Sequence, residues 1–263
     1  MLSVIGVSAL QDNYFWLVQP DPQEPQAYIL DPGEAGAVLA ALAEHRLIPA
    51  AILITHHHHD HVDGIVRLKK EFPRLPLYGP DNPAIPLLDH TLAGGESLQL
   101  GQLKLDVLAL PGHTPDHIGY LSRSNSGPWQ LFSGDTLFSA GCGRLLGGTA
   151  PDLHRTLQRL AELPDDTLVY ASHEYTLSNL RFALAVEPDN EEALAYQARV
   201  QQLRSQGQPS LPTRLGTEKR INPFLRAHLP QIRASVERQT GGNLATSLEV
   251  FTALRQWKDH FSS

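Results

Sequence analysis

The segment ITHHHHDHVDG, residues 54–64, places five histidines and two aspartates in eleven positions. Imidazole nitrogen and carboxylate oxygen are the ligands that zinc-type ions take in proteins. In extended backbone, alternate side chains point to the same side, so His56 and His58 can reach one ion. Asp60 and His61 follow where the chain turns, and they face differently. The segment therefore predicts ligands for two metal ions.

Two other interpretations of this segment are weaker. A purification tag is terminal and unbroken, whereas this run is internal and interrupted by Asp60. A solvated polar loop does not require such regular spacing. The remaining histidines nearby, His57, His59 and His117, are interpreted as outer partners or packing residues, because ligating imidazoles need neighbours that fix their tautomer.

Three further metal-competent side chains close strand-like runs elsewhere in the chain. They are His113 after DVLALPG, Asp135 after WQLFSG and His173 after DTLVYAS. Loops at strand ends gather at one edge of a layered α/β fold, so side chains that are distant in sequence can converge there. Taken alone, each residue fits an ordinary turn. Together with the histidine segment, the three predict completion of the metal site.

The elements that must position these side chains follow a simple pattern. Short runs rich in branched and aromatic residues, closed by Gly, Pro, Asp or Ser, predict strands that begin at Ser3, Tyr14, Ala27, Ala50, Lys104 and Trp129. Helical spacing of apolar positions begins at Gly33 and Pro151. Past His173 the pattern is helical without a convincing strand, and residues 207–224 read as a loop rich in Pro, Gly and Thr. We predict a mixed α/β domain over residues 1–173 and a helical domain over residues 174–263.

Composition excludes several classes of function. The net charge of −7 argues against binding to a nucleic-acid backbone. No segment has the character of a signal peptide or a membrane span, so we expect no membrane partner. The single cysteine, Cys142, excludes an internal disulfide, fits a reducing compartment and is interpreted as a packing residue. We expect a monomer in the cytoplasm whose partner is a small molecule.

Several motifs in the chain match those of a known superfamily. THHHHDH, with PGHT, GDT and SHEY, resembles the signature of the metallo-β-lactamase superfamily. Within that superfamily, GDTLFSAGCGR, HEYTLSNLRFA, VEPDN, INPFLR and RQWKD are similar to segments of the glyoxalase II, or hydroxyacylglutathione hydrolase, family. The resemblance runs essentially from end to end. It implies an αββα sandwich with a C-terminal helical domain that completes the substrate site.

Site residues follow from this resemblance position by position. It implies that one ion is bound by His56, His58 and His113, that the other is bound by Asp60, His61 and His173, and that Asp135 bridges both. It implies contacts to glutathione from Arg144, Tyr175, Arg255 and Lys258. We expect two divalent ions, taken as zinc, although His and Asp also accept iron and manganese.

The chain departs from the family pattern at three positions. Leu146 stands where relatives often have a tyrosine that touches the tripeptide, so part of that contact is in question. Asp63 and Asp116 replace glycines that usually follow the DH and HT motifs. The two aspartates are expected to alter backbone turns beside the ligands, but no departure removes a ligand.

The implied reaction is hydrolysis of S-(2-hydroxyacyl)glutathione, typically S-D-lactoylglutathione, to glutathione and D-lactate in methylglyoxal disposal. A hydroxide shared by two ions attacks the thioester carbonyl, and Asp60 orients it as well as binding metal. Thiolate is a tolerable leaving group, because free thiols have a pKa of about 8.5.

The main alternative is a glutathione persulfide dioxygenase with a single iron. Relatives of that class lack much of the helical C-terminal region, whereas INPFLR and RQWKD are present here, which favours hydrolysis. A lactonase or β-lactamase would need no cationic pair such as Arg255 and Lys258. A metal-binding module without activity is the weakest alternative, because two ions sharing a carboxylate exceed what a structural site needs.

Overall fold

The computed structural model of the protein describes residues 2–123 and 127–261. The chain forms two compact units. The first consists of Met1–Leu110 and Asp116–Gly134, and the second of Pro111–Pro115 and Asp135–Ser263. The predicted division of the chain at residue 173 stays a prediction.

A six-stranded mixed sheet opens the first unit. Its strands, in sequence order across the sheet, are β1 Ser3–Ala9, β2 Asn13–Gln19, β3 Gln26–Leu30, β4 Ile48–Leu53, β5 Leu77–Pro80 and β6 His90–Leu92. The pairs β1·β2 and β2·β3 are antiparallel, and the pairs from β3 to β6 are parallel. Every residue of β2 is buried, so this strand is covered on both faces.

Helices of the first unit cover one face of this sheet. They are α1 Ala35–Glu44, α2 His59–Val62 and α3 Ile65–Glu71. Val38 of α1 and Leu68 of α3 belong to one buried cluster with Phe15 and Ile52 of the sheet. Parallel strands require crossover connections of this kind, and the apolar side of each helix is buried against the strands that it connects.

An antiparallel meander completes the first unit. Its strands are β7 Ser97–Leu100, β8 Leu103–Ala109, β9 Ile118–Ser122 and β10 Gln130–Gly134, each paired with the next. The hydroxyl of Tyr120 in β9 donates to the carbonyl of Ile54 at 2.8 Å, inside the protein. This bond joins the meander to the segment that follows β4, where the histidine run begins.

The second unit is mainly helical. Its helices are α4 Ala150–Ala161, α5 Thr176–Val186, α6 Glu191–Ser205, α7 Leu215–Ile221, α8 Pro230–Thr240 and α9 Ser247–Asp259. Its strands are β11 Leu137–Phe138, β12 Gly141–Cys142, β13 Leu168–Ala171 and β14 Thr213–Arg214.

Two expectations for this part of the chain are wrong. The region past His173 does contain a strand, since β14 pairs with β13. The predicted loop over residues 207–224 contains both β14 and the seven residues of α7. Elements of two and seven residues are too short to display a period in the sequence.

Capping residues explain where the predicted helices of the second unit begin. Thr149 caps α4 by accepting from the amide of Asp152, and a proline occupies the first turn. Thr246 and Glu249 form a capping box at the start of α9. The ring of Phe251 in α9 lies 5.7 Å from that of Phe224, so α9 is anchored in the interior of this unit.

Among the described residues, no helix combines the length and the apolar character that crossing a membrane requires.

Candidate metal centre

The histidine segment follows β4 after a bend at Thr55 and then enters α2. His58, at the N-cap, has φ −66° and ψ 149°, and helical backbone begins at His59. His56 Nε2 lies 3.0 Å from His58 Nδ1, and His61 Nε2 lies 3.5 Å from Asp60 Oδ2. The segment therefore brings the ligand atoms of His56 and His58 together and those of Asp60 and His61 together, and their assignment to two ions stays a prediction.

Two glycines allow the turn after β3 to lie directly against α2. A Cβ atom on Gly33 would come within 1.8 Å of the Asp60 carbonyl oxygen, and one on Gly64 within 2.3 Å of the Pro32 carbonyl oxygen. The amide of Gly64 donates to that Pro32 oxygen at 2.9 Å. Because only glycine fits such an approach, this turn sets the position of α2.

Asp31, in the same turn, is a functional residue that the sequence analysis missed. Its carboxylate accepts the amide and the hydroxyl of Thr55, both at 2.7 Å, and Oδ2 lies 3.1 Å from His61 Nδ1. A carboxylate placed beside one imidazole nitrogen favours the tautomer in which the other nitrogen can bind an ion. The signal was available, since Asp31 closes the strand-like run AYIL just as the predicted ligands close theirs.

His57 points to a polar group made of two other side chains. Its Nδ1 lies 3.6 Å from Asp116 Oδ1, while Asn82 Nδ2 donates to Asp116 Oδ2 at 2.7 Å. An outer position for His57 agrees with the sequence analysis. The polar group includes one of the two aspartates that replace family glycines.

His117 and His59 differ in their surroundings. The His117 ring is buried and stacks on the ring of His56, with centroids 4.8 Å apart, so its packing role is confirmed. The His59 side chain is 94% exposed and lies 3.1 Å from Asp63 Oδ1. The outer or packing role expected for His59 is therefore wrong, because the first turn of α2 directs it to solvent.

Neither replacement of a family glycine distorts the backbone. Asp63 has φ −63° and ψ −22°, an ordinary right-handed helical conformation. Asp116 is not among the residues with positive φ. A side chain is tolerated at both positions, and an altered turn relative to the family stays a prediction.

In the second unit, Asp135 lies between two histidines. Its Oδ2 is 3.6 Å from His113 Nε2, and its Oδ1 is 3.4 Å from His173 Nε2. All three side chains are buried. A carboxylate whose two oxygens face different imidazoles has the geometry of a ligand shared by two ions.

The separations within these pairs fit metal ligands. Two atoms bound about 2.1 Å from one tetrahedral ion lie about 3.4 Å apart. Separations of 3.4, 3.5 and 3.6 Å match this value, and they exceed the usual length of a hydrogen bond. Each of the seven predicted ligands also belongs to a group of His and Asp side chains able to hold a metal ion. The donor set therefore fits divalent metal.

His113 is oriented by the segment after Asp135. Its Nδ1 donates to the carbonyl oxygen of Arg144 at 2.8 Å, and the amide of Leu146 donates to the His113 carbonyl at 2.9 Å. A Cβ atom on Gly143 would come within 2.0 Å of the Asp135 carbonyl oxygen. The close approach at Gly143 keeps this segment against both ligands.

Two predicted substrate residues are cations with access to solvent. The Arg144 side chain is 70% exposed, and its Nε lies 3.9 Å from Asp259 Oδ1. Lys258 donates to the Ser178 carbonyl at 3.3 Å. Burial lowers the pKa of Lys258 to about 8, and the positive charges of Arg255 and Arg144 lower it further. Burial is the larger cause, so Lys258 is a partly desolvated ammonium that also lies near two guanidinium groups.

Arg255 has a different setting from the one expected of a substrate contact. It is only 3% exposed, and Nη1 donates to the Cys142 carbonyl at 2.9 Å, while Nη2 lies 3.0 Å from Asp259 Oδ1. Burial raises the pKa of the Cys142 thiol to about 11, against the opposing effect of Arg255. Cys142 fits the packing role predicted for it, and the contact of Arg255 with glutathione stays a prediction.

Tyr175 and Leu146 are both partly exposed. The Tyr175 ring stacks on the His173 ring, with centroids 4.6 Å apart and planes at 5°. Leu146 is 50% exposed. Tyr175 is therefore next to a predicted ligand and open to solvent, whereas Leu146 presents a half-exposed apolar side chain.

The chain is similar to known proteins over nearly its whole length. Residues 12–173 match the metallo-beta-lactamase superfamily, and residues 174–261 match the family described as hydroxyacylglutathione hydrolase C-terminus. A hydroxyacylglutathione hydrolase of Aliivibrio fischeri is 47% identical over 261 residues, covering 99% of this chain and 100% of that protein.

Solved structures show the same fold. ETHE1 from Myxococcus xanthus has a TM-score of 0.64 and 25% identity, with 98% of each chain covered. TTHA1623, solved in a di-iron-bound form, has a TM-score of 0.59 and 27% identity, covering 84% of this chain and 99% of that one. The predicted fold class, metallo-β-lactamase with a C-terminal helical region, is confirmed. The chain therefore belongs to the metallo-β-lactamase superfamily and, within it, to the hydroxyacylglutathione hydrolase, or glyoxalase II, family.

Proposed function

We propose that the protein is a binuclear metal-dependent thioesterase that hydrolyses S-(2-hydroxyacyl)glutathione, typically S-D-lactoylglutathione, to glutathione and D-lactate. The observation that carries this proposal is the full-length similarity to a hydroxyacylglutathione hydrolase, together with the separate match of residues 174–261 to that family's C-terminus. The second match matters because the metal ligands alone are compatible with several reactions.

The paired ligand atoms support an assignment of two ions. The histidine segment offers one pair at His56 and His58 and another at Asp60 and His61. Asp135 offers one oxygen beside each of two further histidines. We assign the pair His56 and His58 to the ion beside His113 and Asp135 Oδ2. We assign the pair Asp60 and His61 to the ion beside His173 and Asp135 Oδ1. We take both ions as zinc, with iron or manganese as alternatives.

The chain's own groups prepare these ligands. Asp31 Oδ2 lies 3.1 Å from His61 Nδ1 and the Arg144 carbonyl accepts from His113 Nδ1, which favours the tautomers in which both imidazoles present Nε2 to an ion. Asn13 Nδ2 donates to Asp60 Oδ2 at 2.9 Å, which holds the carboxylate proposed to orient the attacking water. Two divalent ions, when bound, activate water at neutral pH and polarise a thioester carbonyl.

Positively charged side chains of the second unit are suited to bind the glutathione part of the substrate. Glutathione carries two carboxylates, and we assign Arg144, Tyr175 and Lys258 to its binding, with part of the attraction coming from the charge of Arg255. The burial of Arg255 favours support of the neighbouring backbone over direct contact. The thiolate product needs no strong acid to leave, because thiols ionise near neutral pH.

One experiment tests the reaction and the metal count together. We expect metal-reconstituted protein to contain two ions per chain and to cleave S-D-lactoylglutathione. Saturation near one iron per chain, with oxygen consumption on glutathione persulfide and no thioester cleavage, would establish the dioxygenase alternative and reject the proposal.

We further propose that the enzyme acts as a monomer in the cytoplasm, without nucleic-acid or membrane partners. The single cysteine and the negative net charge support this assignment. Sedimentation of the purified protein tests the oligomeric state.

A further inference from the structure

Helix α7 carries a buried carboxylate whose partners are neutral. Glu218 is 0% exposed and accepts the Ala140 amide at 2.6 Å, the Ser139 hydroxyl at 2.9 Å and the Thr213 hydroxyl at 2.8 Å. Burial raises the pKa of Glu218, while these bonds oppose the shift. A buried charge is a costly way to stabilise a fold, because apolar packing achieves the same without desolvation. The arrangement therefore calls for another explanation.

The partners of Glu218 lie in one small hairpin. We name residues 136–144 the ligand hairpin; it contains β11 and β12 and begins directly after Asp135. Its tip includes Ala140, which has φ +55°, a conformation unfavourable for any residue with a Cβ. The Glu218 carboxylate receives the amide of that strained residue.

Asn222, one helical turn after Glu218, holds the same hairpin from its carbonyl side. Its Nδ2 donates to the Gly141 carbonyl at 2.9 Å and the Phe138 carbonyl at 3.2 Å, and it is fully buried. From α5, Asn179 Nδ2 donates to the Ser139 carbonyl at 3.0 Å. Donors and acceptors at the tip are thus bound on several sides.

The other end of the ligand hairpin reaches two predicted metal ligands. The Gly143 amide donates to the Thr136 carbonyl at 3.2 Å, next to Asp135. The Arg144 carbonyl accepts from His113 Nδ1 at 2.8 Å. A shift of the hairpin would therefore move the backbone beside Asp135 and the acceptor that orients His113.

We propose that Glu218 and Asn222 are positioning residues that hold the ligand hairpin, and through it Asp135 and His113, in the geometry that binds metal. This inference rests on the proposed metal-dependent function. The two side chains act through the backbone of the hairpin and not on substrate. Asn222 lies in the INPFLR segment, and Glu218 lies just before it in α7. The proposal therefore gives this segment a role in positioning metal ligands.

Glu218→Gln tests the proposal, because an amide nitrogen would face donors that now meet a carboxylate oxygen. Glu187→Gln is the matched control, since it removes a carboxylate from the largely buried pair with Arg226 in the same unit, away from the hairpin. Both variants should lower the melting temperature of the metal-free chain. Only Glu218→Gln should alter the visible spectrum of the cobalt-substituted protein and speed cobalt transfer to a chelator by about tenfold.

The outcomes separate the two proposals. A wild-type chain that takes up no cobalt overturns the proposed function and the positioning role together. If the wild type binds cobalt and Glu218→Gln gives the same spectrum and transfer rate, the positioning role alone is wrong. Should Glu218→Gln fail to fold, Ser139→Ala removes one donor to the carboxylate, and an unchanged spectrum there overturns the proposal equally.

Discussion

The two halves of the proposed ligand set are built in opposite ways. In the first unit, four ligands fall within six consecutive residues, His56 to His61, and their directions follow from extended backbone that turns into α2. In the second unit, His113, Asp135 and His173 are spread over sixty-one positions. Their placement depends on the ligand hairpin and its remote partners. We call the ligands of the first unit the local half and those of the second unit the dispersed half. Residue spacing specifies the local half, whereas remote contacts must hold the dispersed half. Metal affinity should therefore respond differently to mutations in the two halves.

The largest effect should come from the dispersed half, at the residue that faces two histidines. We expect Asp135→Ala to lower metal affinity and thioester hydrolysis together by more than about 100-fold, because loss of an outer partner alone costs about 10- to 100-fold. Metal analysis after dialysis against a chelator, followed by kinetics on S-D-lactoylglutathione, measures both. Full activity at normal occupancy would show that Asp135 is not shared by two ions.

Asp116→Gly is the matched control for this change. It introduces the glycine that the family resemblance implies at a position without positive φ, and it removes an aspartate that contacts His57 and Asn82. Metal content should stay at the wild-type value.

In the local half we expect a smaller loss of metal affinity, caused by removing Asp31, a side chain outside the histidine segment. We expect Asp31→Ala to weaken metal binding by about 10- to 100-fold, because it removes the carboxylate that lies 3.1 Å from His61 Nδ1. Competition with a chromogenic chelator measures the affinity. Asp63→Ala is the control, since the contact of its carboxylate among the described residues is with the exposed His59. Equal affinities for the two variants would mean that the histidine segment is positioned entirely by its own backbone.

Substrate binding should depend on α9 through two different mechanisms. We expect Lys258→Ala to raise KM about tenfold with kcat nearly unchanged, because a partly exposed charged contact contributes at the low end of about 1.5 to 3 kcal/mol. Arg255→Ala should instead lower the melting temperature, since it leaves the Cys142 carbonyl without its donor. If Arg255→Ala raises KM while the melting temperature stays unchanged, Arg255 contacts glutathione directly.

The smallest effect is a dependence on pH. Since the pKa of Lys258 is lowered to about 8, its ammonium is present below pH 8 and is lost as the pH rises above that value. KM should therefore rise several-fold between pH 8 and 9.5, up to the value of Lys258→Ala. Lys258→Arg keeps its charge over this range and should show a flat profile. An inflection retained in the arginine variant would assign the titration to another group.

The sequence alone predicted those features that have a local pattern. Alternation identified His56 and His58 as a pair, and strand-closing side chains identified His113, Asp135 and His173. Helical spacing predicted α9, although it could not show that Arg255 is buried while Lys258 is not. That distinction depends on which side of the helix meets the Cys142 carbonyl, a contact across 113 positions.

Features without a period or a signature residue could not be predicted. The prolines and glycines of residues 207–224 predict a loop and obscure a helix of two turns. No local pattern distinguishes Glu218 from a surface residue, whereas its bonds to Ser139 and Ala140 place it inside the protein. Asp31 was missed although its pattern was visible, because a carboxylate that supports a ligand looks the same in sequence as one that binds an ion.

The setting of Cys142 has a consequence for redox chemistry. The nucleophile in thiol–disulfide exchange is the thiolate, and a thiol with a pKa of about 11, buried beneath Arg255, has almost no thiolate at neutral pH. An enzyme that releases glutathione works beside the glutathione disulfide formed from it. Cys142 is the only cysteine of the chain, and its buried, protonated thiol reacts slowly with disulfides. The protein should therefore resist glutathionylation under oxidising conditions.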